Sequence, residues 1–360
     1  MKQTFDGRPV DRVQTDGRDI NTTLAELTGE GAQQVTSMSE AHLAPTGVAW
    51  EQLPVPRAGD PTYYDRPLLK QSVWKPFIPL YYFTGGAAGA SLVLGAAAQL
   101  DGSQELDRFI RRCHWIGIIG STISGGLLIA DLGRPERFLY MLRVFRPTSP
   151  MNMGAWILAA APSAAITAGL FARHSHGILQ RIGEAAGYSS GAFGAALATY
   201  TGVLAGNTVI PIWKESRRIL PVLFGASAAA SAGAIFDLMF EDERACRITR
   251  YFGIGGRLAE LAAAHSMERE AARVPTVARP LKRGLSSVMW KTASVLTAAS
   301  LVTLMLPRQN RKKRMVAGLL GAGGSLLMRF AVEVAGNASA RDPRATFHQQ
   351  RAGQGTREVE

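Results

Sequence analysis

Apolar positions are distributed very unevenly along this chain. Up to about residue 75, polar residues, glycines and prolines follow one another without a sustained helical or strand period. From residue 77 onward, long apolar runs alternate with short polar stretches. A helix needs roughly 20 apolar residues to cross a bilayer. Seven runs are of about that length: 77–99, 113–131, 152–171, 186–206, 219–240, 286–306 and 315–335. An eighth, 250–266, is interrupted by Arg257, Glu260 and His265. Its apolar positions Tyr251, Ile254, Leu258, Leu261 and Ala262 still fall near one helical face, as in a span inside a bundle or a helix lying at the interface. Counted as a span, it completes an all-α membrane protein of about eight transmembrane helices. The expected organisation is a polar, partly extended arm at 1–75, a membrane domain at 76–336 and a polar C-terminal tail at 337–360.

Small residues recur four apart in these runs. Gly85 and Gly89 do so, as do Gly117, Ser121 and Gly125; Gly187, Gly191 and Ala195; and Gly321 and Ser325. Such spacing lets membrane helices approach backbone to backbone. The segments YYFTGGAAGAS at 81–91 and VLFGASAAASA at 222–232 share a faint pattern. With eight spans both run in the same direction, which suggests two four-helix bundles.

Composition and charge sharpen this picture. The chain has 360 residues, 47% of them apolar, and a formal charge of +12. Residues 1–75 carry 8 basic and 10 acidic side chains, so the positive charge belongs to the remainder. There the basic residues form short clusters between apolar runs, which points to a membrane rather than to nucleic acid. No apolar run follows Met1, so a secretory signal peptide is not expected. Two cysteines, Cys113 and Cys246, are too few for a disulfide scaffold or a four-thiolate cluster and read as structural thiols. A haem anchor needs histidines facing each other from two spanning helices. His114 opens one span, His265 closes the weak one, and His42, His174, His176 and His348 fall in tails or loops, so no haem or iron–sulfur cluster is expected in this chain.

The densest chemistry follows the second span, in ADLGRPERFLYMLRVFRPTSPMNMGAW at 130–156. A carboxylate at the end of an apolar run is costly and asks for a reason. Gly133 and Pro135 stop the helix after Asp131, and Arg134, Arg137, Arg143 and Arg146 follow. One reading is a helix end closed by an Asp131–Arg134 ion pair. The other is a functional site. Tyr81 or Tyr82, Asp131 and Tyr200 all fall toward the same membrane side at similar depth, although the two N-terminal tyrosines also fit an interfacial aromatic belt. Elsewhere, Arg329 and Glu333 are four apart and suited to pair with each other. Lys291 is placed to snorkel to the surface. Glu260 suits either a proton relay or a bundle-facing polar contact.

In its motif the chain resembles the NrfD-type membrane subunits, which include the polysulfide reductase membrane subunit. DLGRPERF followed by FRPTSPMNMGAW carries the resemblance, with YYFTGGAAGA, YTGVL (200–204), PIW (211–213) and LLMRFAVEVAG (326–336) in support. It covers about 76–336. The resemblance implies eight helices without metal or haem and a site for menaquinone or ubiquinone near one membrane surface. It also implies a ferredoxin-like iron–sulfur partner, commonly joined to a molybdopterin subunit, in a prokaryotic inner membrane. The matches carry over to Asp131 as the proton-exchanging group and to Arg134 and Tyr200 beside the quinone. Where polysulfide reductase-type chains present Asn and His on the first helix, this chain carries Phe77 and Tyr81. Two other classes fit the same bundle: a proton-coupled transporter using Asp131, Glu260 and Glu333, and a non-redox membrane anchor.

Overall fold

A computed structural model describes residues 67–351, except 73, 75, 133–134, 173–175 and 240–241, and four short strands within the first 29 residues. The chain divides into two units, 1–62 and 63–360. In the first, β1 (Thr4–Phe5) pairs with β2 (Arg8–Pro9), and β3 (Arg18–Asn21) pairs with β4 (Glu26–Gly29), both antiparallel. Most of the arm expected at 1–75 lies outside the described residues.

The second unit is helical. In chain order it contains α1 (Phe77–Leu100), α2 (Asp107–Asp131), α3 (Arg137–Met141), α4 (Pro150–Phe171), α5 (Ile178–Gly206), α6 (Pro211–Glu215), α7 (Leu220–Leu238), α8 (Glu243–Ala271), α9 (Pro275–Lys282), α10 (Leu285–Met305), α11 (Arg311–Arg341) and α12 (Pro343–Arg351). Among the described residues, six segments are long and apolar enough to cross a membrane: α1, Gln104–Asp131, α4, α7, α10 and α11. α5 and α8 match them in length, at 29 residues each, but hold no equally apolar stretch of membrane length. The stretch 337–341 belongs to α11, and α12 then packs on α9 and α6.

α1, α2, α4 and α5 pack around one another, and so do α7, α8, α10 and α11. α1 and α5 join the two groups by packing on α7, and α1 also touches α11. Small residues set these approaches. A Cβ on Gly194 would lie 2.5 Å from the carbonyl oxygen of Gly89, so α1 and α5 meet at bare backbone. Gly256 against Ala230 does the same for α8 and α7, and Gly318 against Ala234 for α11 and α7.

The distribution of polarity is inside out. Large apolar side chains stand on the outer surface, among them Trp115, Ile119 and Ile123 of α2 and Val288, Val295 and Val302 of α10. Charged side chains lie within: Asp237, Arg257, Glu260, Arg329 and Glu333 are all buried. Water as the surrounding solvent would favour the opposite arrangement. α8 shows this most clearly. Tyr251 and Leu258 are 68% and 48% exposed, whereas Arg257 and Glu260 are fully buried. The apolar face noticed in the sequence therefore faces outward, and the charges that weakened the span face the helices.

Candidate functional site

One end of α1, the C-terminal end of α2, the N-terminal end of α4 and the last turns of α5 enclose a cavity of about 150 Å³. Its apolar lining includes Trp74, Ile78, Leu128, Met141 and Met151. Its polar lining is Tyr81, Tyr82, Asp131 and Tyr200. Three of the four residues singled out from sequence, Tyr81, Asp131 and Tyr200, thus meet in one place. The fourth, Arg134, lies outside the described residues.

Local structure explains how the motif builds this wall. α2 ends at Asp131, as the following glycine and proline require. Beyond it, Ser149 caps α4, accepting a hydrogen bond from the Asn152 amide at 3.4 Å, and Pro150 takes the first helical position. Asn152 then pins the loop. Its side-chain amide donates to the carbonyls of Met141 (2.5 Å) and Val144 (2.9 Å), and its oxygen accepts from the Arg146 amide at 2.7 Å. Trp156 donates to Val144 at 3.4 Å and lies edge-on to Phe145. Gly154 leaves room for the ring of Tyr200, which any side chain at 154 would strike. Motif positions 152, 154 and 156 are therefore scaffolding for Asp131 and Tyr200. The opposite wall is held by Ser124, whose hydroxyl donates to the Tyr81 carbonyl at 3.2 Å.

Tyr82 is the lining residue that sequence reasoning weighed only as an alternative to Tyr81. It is buried, and its hydroxyl has no hydrogen-bond partner among the described residues. Aromatic neighbours fix its ring. Trp74 meets it edge-on at 6.3 Å and Phe224 at 5.4 Å. Trp74 in turn stacks on Trp213, 5.6 Å away with 15° between the planes. Nothing in the local sequence around Trp74 announces this role, because its stacking partner is far away in the chain.

Arg329 and Glu333 do not form the ion pair that their spacing suggests. Arg329 turns to α7, where it donates to the Phe224 carbonyl at 2.8 Å and covers the Phe224 ring at 4.0 Å. Glu333 accepts from the hydroxyl of Ser72 and from the Asn337 amide at 3.1 Å. Among the described residues, no group of three or more His, Cys, Asp or Glu side chains is arranged to hold a metal ion.

The sequence profile of the family described as "Polysulphide reductase, NrfD" matches residues 68–339. The chain belongs to the NrfD family. No curated protein matches it. As an NrfD-family chain with six membrane-length apolar helices, it is a multi-pass membrane subunit of the polysulfide reductase-like type. The segments that carried the resemblance now have physical roles. In YTGVL, Gly202 lets α5 pass within contact of the Leu220 carbonyl of α7. In PIW, Trp213 donates to the Val332 carbonyl at 3.0 Å and fills the space left by Gly336. LLMRFAVEVAG supplies Arg329, Glu333 and that glycine. The described part of the helix-2 motif forms the cavity wall.

Proposed function

We propose that this NrfD-family subunit exchanges electrons and protons between the membrane quinone pool and an iron–sulfur partner subunit, with eight spanning helices and the cavity as the quinone headgroup site. The observation that carries this reading is the convergence of Tyr81, Tyr82, Tyr200 and Asp131, from three helices, on one otherwise apolar cavity. Pockets of this make-up, apolar with few converging polar groups, are the usual form of small-molecule sites. The unpartnered, buried hydroxyl of Tyr82 suits a ligand carbonyl oxygen. A bound quinone supplies the two-electron, two-proton chemistry. The chain's own residues do the rest. Ile78, Leu128, Met141 and Met151 hold a flat ring by apolar contact and exclude water. The hydroxyls of Tyr82 and Tyr200 orient its oxygens. The Asp131 carboxyl, at the end of α2, holds or releases a proton, and Arg134 beside it in sequence steadies its charge. This assigns catalysis to Asp131 and binding to Tyr82 and Tyr200, with Tyr81 lining the same cavity and Arg134 supporting the charge of Asp131.

The affinity of purified subunit for a water-soluble quinone analogue tests the site. Tyr200→Phe removes one hydrogen bond, and the expected loss is about 1 kcal/mol, roughly fivefold in Kd. Unchanged affinity in both Tyr200→Phe and Tyr82→Phe would place the ligand elsewhere.

The partner would dock beside the cavity, on the end of α3 and the loop joining it to α4. There Tyr140, Val144 and Phe145 are exposed apolar residues interleaved with exposed Arg143 and Arg146, and Arg143 lies 5.9 Å above the Tyr140 ring. An iron–sulfur subunit with an acidic, partly apolar face suits that surface, with a molybdopterin subunit beyond it, at the inner membrane of a prokaryote. Arg143→Gln combined with Arg146→Gln is expected to remove most of the partner from the purified complex at moderate salt while the subunit itself accumulates normally. Full partner stoichiometry in that variant would move the interface.

A further inference from the structure

The second helix group has a buried polar axis that the cavity does not use. Near the C-terminal end of α7, Asp237 accepts from Arg257 of α8 at 3.0 Å and has Arg314 of α11 3.9 Å away. Arg257 donates to Ser300 of α10 at 2.8 Å. Three residues on, the Glu260 carboxylate accepts from Thr297 at 3.3 Å and Ser325 at 3.2 Å, with Ser227 of α7 beside it. Arg329 of α11 lies within electrostatic reach of both Glu260 and Tyr82. Glu333, one turn further along α11, ends the series near Ser72 and within electrostatic reach of Tyr82, at the cavity. Arg314 and Glu333 are 19 residues apart on α11. That is about 28 Å of helix, close to the roughly 30 Å of a hydrocarbon core.

Room has been made for these groups. A Cβ on Gly253 or Gly321 would lie 2.5 Å or 2.6 Å from the Arg257 guanidinium, and one on Gly86 would lie 3.2 Å from that of Arg329. Several polar atoms on the axis are buried without a partner among the described residues: Arg257 Nη1, Arg329 Nε and Nη1, Glu333 Oε2 and, where the axis meets the cavity, Tyr82 Oη. Buried polar atoms are as a rule hydrogen-bonded, and internal water serves where protein groups do not. Helix anchoring alone needs no protonatable series of this length, and ionisable groups inside a membrane bundle mark ion and proton routes.

We propose that α7, α8, α10 and α11 enclose a hydrated proton path from the Asp237–Arg314 end to Glu333 beside the cavity, with Glu260 as its central protonatable station. A proton enters as hydronium at the Asp237 end. Glu260 takes one proton from the water on that side and releases one to the water on the other. Glu333 repeats the exchange, so each carboxyl returns to its starting charge and no electron moves along the path. Arg257 and Arg329 hold the water positions without being titrated. The link to redox work rests on the quinone reading of the cavity, but conduction along the axis does not.

The test uses the full-length chain reconstituted in liposomes with a pH-sensitive dye inside, without quinone, under a potassium diffusion potential. The wild type is expected to acidify or alkalinise the lumen faster than protein-free vesicles, according to the sign of the potential. Glu260→Gln is expected to cut the protein-dependent rate at least tenfold, and Glu260→Asp to recover part of it. Lys291→Gln, on the outer surface of α10, serves as an unchanged control. Monodisperse elution in detergent shows that each variant is folded. A wild-type rate equal to that of empty vesicles, or a folded Glu260→Gln at the wild-type rate, would overturn the path. Conduction without quinol-dependent turnover would instead overturn the quinone reading and leave the path standing.

Discussion

Asp131→Asn is expected to leave the complex assembled and to lower quinol-dependent turnover about a hundredfold, the scale of a lost general acid–base group. The residue lines the cavity at the last turn of α2 and shares it with three tyrosines. Those tyrosines can hydrogen-bond a ligand, but among the described lining residues Asp131 alone carries a carboxyl, the group suited to take up and release a proton. Asparagine keeps the shape and most of the hydrogen bonding, so packing around α2 should survive. An Asp131 that served only to close the helix end would give the opposite pattern, with poor assembly and normal turnover in what remains. Subunit content and turnover measured in the same membranes separate the two.

Arg257→Met is expected to be severely destabilising, by about 3–5 kcal/mol, because it strands a buried carboxylate. Arg257 and Asp237 are both without solvent exposure in their side chains and meet at 3.0 Å. The other cation near Asp237, Arg314, is 3.9 Å away and bonds it less closely. Methionine also leaves the Ser300 hydroxyl without the donor it now accepts from. The membrane content of the variant should fall sharply and its detergent melting temperature should drop. Adding Asp237→Leu removes the stranded charge, and the double variant is expected to recover much of the loss. A single variant as stable as the wild type would mean that Asp237 is compensated by something other than Arg257.

How much of this was legible depends on what each residue touches. Most helices could be read directly, since apolar runs of membrane length bounded by Gly, Pro and charge have few other solutions. The meeting of Tyr81, Asp131 and Tyr200 could also be read, because helix direction alone puts them at one end. α8 was only half legible. Its apolar stripe is real, but the stripe faces outward and the charges face in, which hydropathy along the chain cannot distinguish from an interfacial helix. The partners of Arg329 and Glu333 were not legible. Spacing of four offers them to each other, whereas the Phe224 carbonyl and the Ser72 hydroxyl that they use are distant in sequence. Tyr82 and Trp74 were obscured for the same reason, their roles being set by rings on other elements. Asn152, Gly154 and Trp156 stood in plain view within the motif, yet their task of bracing a loop and admitting the Tyr200 ring depends on a contact between α4 and α5.

The central claim, that the cavity between α1, α2, α4 and α5 receives a quinone headgroup, is tested most directly by covalent labelling. Membranes containing the intact complex would be illuminated with a photoreactive quinone analogue, and the labelled peptides of this subunit identified. The account predicts label in the segments around Trp74–Tyr82, Leu128–Met141, Met151–Ala155 and Tyr200–Leu204, abolished by excess natural quinol. Label confined to other surfaces, or label within these segments that quinol does not displace, would contradict it.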